Sequence, residues 1–213
     1  MDRRLPVYFL IDCSHSMRGQ PISMVKQGLD RMIQDLCQDP YALETIYLSI
    51  LTFSTGAHQD IPLTPVYLVR APGLVAKGKT DMGAGLRLLA ERIDAEVKPS
   101  TVEQKGDWRP IAFLLSDGGP GDAWITPAKE IMGRHQAKKM TMVAVAFGNR
   151  IHLDKLRRVT PEVIVSESAE PQSFAQFLAW ASVCISRSCQ IGPDRADIYS
   201  KVPLPSGFIR GGD

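Results

Sequence analysis

Apolar and polar positions along this chain follow two alternating rhythms. Leu5 to Ile11 is an almost unbroken apolar run, the mark of a strand covered on both faces. Arg18-Gly19-Gln20-Pro21 then opens a helix, with Pro21 in its first turn. Ile22, Val25, Leu29, Met32, Ile33 and Leu36 recur at helical spacing, and Asp39-Pro40 closes the pattern. Thr45 to Phe53 reads as a strand, and Ala57 to Leu63 as a second. The gap between them is too short for a helical crossover, so they pair antiparallel. Pro62 and Pro65 put the later one at the sheet edge.

Leu86, Leu89, Ala90, Ile93 and Val97 mark the next helix. Ile111 to Leu115 is a continuous, central strand, broken by Ser116-Asp117-Gly118-Gly119-Pro120. A helix from about Ala123 to Lys138, a strand from Thr141 to Phe147 and a short helix near His152 to Arg158 follow. A last strand spans Glu162 to Val165, and a last helix runs from Pro171 to Arg187. The alternation predicts an α/β fold: a doubly wound, mostly parallel six-stranded sheet with one antiparallel edge strand and helices on both faces. From Gly192 the periodicity fails, and Pro and Gly give an extended tail. Ile198, Tyr199, Phe208 and Ile209 suit partial docking of that tail, with the Gly211-Gly212 end fraying. The expected division is a domain over residues 4–188 and a Pro/Gly-rich tail over 189–213.

Composition narrows the function classes. Of the 213 residues, 44% are hydrophobic, enough for a full core, and the net charge of +2 leaves no nucleic-acid footprint. No stretch approaches a membrane span. The apolar start imitates a signal peptide, but no small-residue cleavage site follows, and a buried first strand explains it better. Cys13, Cys37, Cys184 and Cys189 form no C-x-x-C pair and read as reduced thiols of a cytoplasmic protein.

Candidate chemistry gathers where strands end. Asp12-Cys13-Ser14-His15-Ser16 puts a carboxylate and two hydroxyls just past the first strand. Thr80 stands on the loop before a helix, and Asp117 just past the central strand. Ligands in doubly wound sheets bind beyond the carboxyl ends of strands, where the winding reverses. Hard oxygen donors on tight turns suit a small divalent cation. Taken singly, each segment is an ordinary turn or cap. A competing motif is Gly73 to Thr80, which matches G-x-x-x-x-G-K-[ST] and predicts a nucleotide-binding hydrolase. Against it, no core strand leads into the loop, Asp81, Gly83 and Gly85 weaken the helix start, and Asp12, Ser14 and Ser16 are left unexplained. Nothing nominates a nucleophile with its base, and no histidine has zinc-ligand spacing.

D-x-S-x-S, the Thr80 loop and Ser116-Asp117-Gly118-Gly119, in that order, resemble the metal-ion-dependent adhesion site of von Willebrand factor A domains. The resemblance runs from about Arg4 to Arg187. R-R-L-P-V-Y-F-L-I-D-C-S-H-S-M-R-G and T-D-M-G-A-G-L look like the short bacterial TerY-type proteins of tellurite-resistance operons. The resemblance implies a non-enzymatic, metal-dependent protein-binding module of a bacterial stress system. It implies hydroxyl ligands from Ser14, Ser16 and Thr80, with Asp12 and Asp117 acting largely through water. Mg²⁺ or Mn²⁺ would then capture an acidic group of a protein partner, such as an associated kinase or phosphatase. His15 stands where the family usually has Gly, which is costly if its φ is positive.

Overall fold

The computed structural model describes residues 3–116, 119–147, 152–166, 170, 172–190 and 198–211. The chain begins with β1 (Leu5–Asp12), a 3-10 turn (His15–Met17), α1 (Gln20–Gln38) and α2 (Pro40–Thr45). A hairpin of β2 (Ile46–Ser54) and β3 (Gly56–Pro65) follows, then α3 (Met82–Glu96), β4 (Ile111–Ser116) and α4 (Ile125–Gln136). β5 (Thr141–Ala146), α5 (Leu153–Leu156), β6 (Val163–Ser166) and α6 (Gln172–Gln190) continue the alternation. α7 (Ile198–Lys201) and β7 (Phe208–Arg210) end it.

The sheet order is β3-β2-β1-β4-β5-β6-β7, parallel except for β3 and β7 at its two edges. β1 lies between β2 and β4, so the winding reverses there, and Asp12 and Ser116 both end strands at that reversal. Every residue of β1 is buried, as its unbroken apolar run requires. Alternate side chains serve two cores. Val7, Phe9 and Ile11 pack with α1 and α6, while Tyr8 and Leu10 pack with α3 and α4. Sequence periodicity anticipates this plan.

Three details differ from the sequence reading. The segment after Asp39 is a helix, not a break, because Asp39 Oδ1 accepts from the amides of Tyr41 at 3.0 Å and Ala42 at 3.4 Å. Asp39 therefore ends α1 and caps α2, with Pro40 in the first turn. The sheet has seven strands rather than six, since Ile209 and its neighbours pair with Val165 on β6. Finally, Gly211 does not fray. Its amide donates to Val163 O at 2.7 Å, and Arg157 Nε donates to Gly211 O at 2.7 Å. Gly212 lies outside the described residues. The docking side chains are Tyr199 and Phe208, both buried, while Ile209 is 48% exposed. Tyr199 meets Phe113 edge-on at 5.6 Å between ring centroids, and Phe208 meets Phe147 at 6.2 Å.

Candidate metal centre

β1 ends on Asp12, which is fully buried. Its carboxylate is held from two directions. The Ser14 amide donates to Oδ1 at 2.8 Å, and Ser116 Oγ, at the end of β4, donates to Oδ2 at 2.7 Å. These two donors fix the orientation of the carboxylate. Cys13 next to it is buried, and burial, followed by the nearby Asp12 and Asp60 charges, pushes its thiol up to about 12. Cys13 packs as a buried thiol.

Ser14 and Ser16 place their hydroxyl oxygens 3.1 Å apart. Ser14 is buried and Ser16 exposed, so the pair bridges from interior to surface. An octahedral ion with bonds of about 2.1 Å has neighbouring ligands about 2.9–3.0 Å apart, so the pair fits an edge of Mg²⁺ coordination. Among the described residues Lys138 is the one non-glycine with positive φ. His15 therefore opens a 3-10 turn without left-handed strain, and its side chain is exposed.

The Thr80 loop is stitched to this turn and to the strand ends around it. The Lys77 amide donates to Cys13 O at 2.8 Å, and the His15 amide to Gly78 O at 3.1 Å. The Asp81 amide donates to Ser54 O at 2.8 Å, and the Gly121 amide to Thr80 O at 2.8 Å. So hydrogen bonds join the Asp12 turn to the Thr80 loop and to Ser116 at the end of β4, and the Thr80 loop to Gly121. Thr80 itself is half-buried. Asp117 lies outside the described residues, directly after Ser116. Among the described residues, no three His, Cys, Asp or Glu side chains cluster as a metal site. The donor set near Asp12 is instead made of hydroxyls.

One functional neighbour has no sequence signal. Asp122 accepts from the amides of Gly83 at 2.9 Å and Ala84 at 3.0 Å, and so caps α3 from another segment. Asp81, at the cap position of the chain itself, instead takes the Gly56 amide at 3.0 Å. A Cβ on Gly83 would stand 2.8 Å from Ala123 O and from Asp122 Oδ2. The first glycine of T-D-M-G-A-G is thus a packing requirement: residues 121–124 lie against the helix start.

The phosphate-cradle alternative finds no support in this geometry. β3, ahead of the loop, is an antiparallel edge strand, and α3 starts at Met82 rather than at Lys79. Two of the amides that would have to face a phosphate are spent. That of Lys77 binds Cys13 O, and that of Lys79 donates to Thr55 Oγ1 at 3.1 Å.

A family model of the von Willebrand factor type A domain matches residues 7–179. The chain belongs to that family. No match is found among curated proteins. Among solved structures, a von Willebrand factor type A protein from Catenulispora acidiphila is 19% identical with a TM-score of 0.63, over 87% of this chain and 43% of that one. Proximal thread matrix protein 1 from the mussel byssus, in a structure with a zinc-occupied metal-ion-dependent adhesion motif, is 16% identical with a TM-score of 0.58, over 87% and 48%. A pilus adhesin from Lactobacillus rhamnosus GG is 12% identical with a TM-score of 0.69, over 87% and 31%. The chain spans less than half the length of each of these proteins, and at such identities the likeness is one of fold. Among the described residues of this von Willebrand factor A domain, no helix is long and apolar enough to cross a membrane.

Proposed function

We propose that the protein is a non-enzymatic binding module that uses a divalent cation to capture an acidic side chain of a protein partner. Ser14, Ser16 and Thr80 are the hydroxyl ligands, and Asp12 and Asp117 hold the site through bound water and hydrogen bonds. The observation that carries this reading is the joining of these segments by hydrogen bonds around a buried, doubly bonded Asp12. A cation with mainly neutral direct ligands keeps net positive charge, and Mg²⁺ keeps an exchangeable position that a partner's carboxylate can fill. Hard oxygen donors favour Mg²⁺ or Mn²⁺ over the zinc held by the byssus protein.

The cellular setting proposed is a bacterial cytoplasmic stress system of the TerY type, with an associated kinase or phosphatase as partner. What supports it is the run R-R-L-P-V-Y-F-L-I-D-C-S-H-S-M-R-G together with T-D-M-G-A-G-L, and four cysteines that form no C-x-x-C pair. A pull-down with and without EDTA tests the reading. A partner retained with Mg²⁺ and released by EDTA is expected, and retention in EDTA contradicts it.

A further inference from the structure

The rim beside this site carries a second feature. A Cβ built on Gly119 would stand 2.6 Å from His152 Cδ2, 2.8 Å from His152 Nε2 and 3.1 Å from Lys155 Nζ. An imidazole and an ammonium therefore pack side by side on the Gly119 backbone, too close to leave room for a Cβ. Both side chains are half-buried. The ion pairs formed by the described residues lie elsewhere, at Arg4–Asp107, Arg31–Asp35, Arg134–Asp94 and Arg134–Glu130. Asp122 is used by the α3 amides, Asp81 by the Gly56 amide, and Asp154 on α5 is exposed.

The position of Gly119 is fixed on both sides. Three residues earlier, Ser116 binds Asp12, and two residues later, the Gly121 amide binds Thr80 O. Three residues span at most about 11 Å, so the His152–Lys155 pair stands within a short peptide's reach of the cation position. In an extended segment, side chains two residues apart share a face at about 6.5–7 Å.

We propose that the partner segment carries two carboxylates, two or three residues apart, one for the cation and one for the His152–Lys155 pair. The inference rests on the proposed cation site. The second carboxylate takes charge-assisted hydrogen bonds from Lys155 Nζ and the imidazole. His152 and Lys155 are positioned by the turn that starts α5, where the Lys155 amide donates to His152 O at 3.0 Å. They set which acidic segments bind, while the cation sets whether any binds.

The test titrates two peptides, Gly-Gly-Asp-Ser-Asp-Gly-Gly and Gly-Gly-Asp-Ser-Asn-Gly-Gly, into ¹⁵N-labelled protein saturated with Mg²⁺. The diacid is expected to bind about two- to five-fold tighter, the range of a partly screened charge pair. Lys155→Gln with His152→Gln should erase the preference, and Lys155→Glu should reverse it, with Mg²⁺ affinity by calorimetry unchanged in both. Equal affinity for the two peptides in the wild type, or a preference that survives Lys155→Glu, overturns the proposal. A protein that takes up no Mg²⁺ at all fails the cation reading itself, which is a separate result.

Discussion

At the scale of single residues, Asp12 is the anchor, and its hydrogen bonds to the Ser14 amide and Ser116 Oγ make a prediction. Ser116→Ala leaves a fully buried carboxylate with one donor fewer and should cost about 1–3 kcal/mol in chemical denaturation. His135 gives a second. Its Nδ1 accepts from the Met142 amide at 3.1 Å, and burial first of all holds its pKa below the ordinary histidine value; Glu162 opposes this and Arg109 assists it. A histidine depressed in the folded state binds fewer protons there than in the unfolded chain. The stability it contributes is therefore complete above about pH 6.5 and is lost as the pH falls below that toward the folded value. Melting temperatures at pH 7.5 and 5.5 should differ more in the wild type than in His135→Asn, which keeps an acceptor for Met142. Equal pH dependence in the two proteins would refute this. Asp12, Ser14 and Ser16 stand out in the sequence because they follow a buried strand directly. Asp122 does not, because its contacts lie 38 and 39 residues away and no local pattern records them.

At the scale of elements, helices and strands are legible wherever burial imposes a period. β1, β4 and β5 are continuous apolar runs because both faces are covered, and α1 and α6 show clear apolar stripes. α2 and β7 are not legible. α2 is six residues long and depends on one Asp39 carboxylate, and β7 is three residues whose partner, β6, lies far back in the chain. The packing of α1 on α6 supplies the element-scale prediction. A Cβ on Gly28 would stand 2.7 Å from Leu178 Cδ1 and 3.1 Å from Ala175 Cα. Helix propensity favours Gly28→Ala, but the clash requires α1 and α6 to separate. The variant should lose about 1–3 kcal/mol in a urea titration, and a gain in stability would show that the helices are not so close.

At the scale of the whole molecule, the tail is part of the protein's stability. Tyr199 and Phe208 complete an aromatic cluster with Phe113, Phe147, Phe177 and Trp180, and β7 closes the edge of β6. Phe208→Ala should cost about 3–5 kcal/mol if this cluster is a fully packed core. Truncation after Gln190 should lower the melting temperature further, and an unchanged value would make the tail dispensable. The same architecture places the strand ends of β1 and β4 together at the winding reversal, where the cation reading puts its site. The measurement that tests that reading most directly is calorimetric titration of Mg²⁺ into the wild type and into Asp12→Ala/Asp117→Ala. The wild type should show one saturable site, and the double variant should lose at least about tenfold in affinity with an unchanged circular dichroism spectrum. Undiminished Mg²⁺ binding in the folded double variant would contradict it.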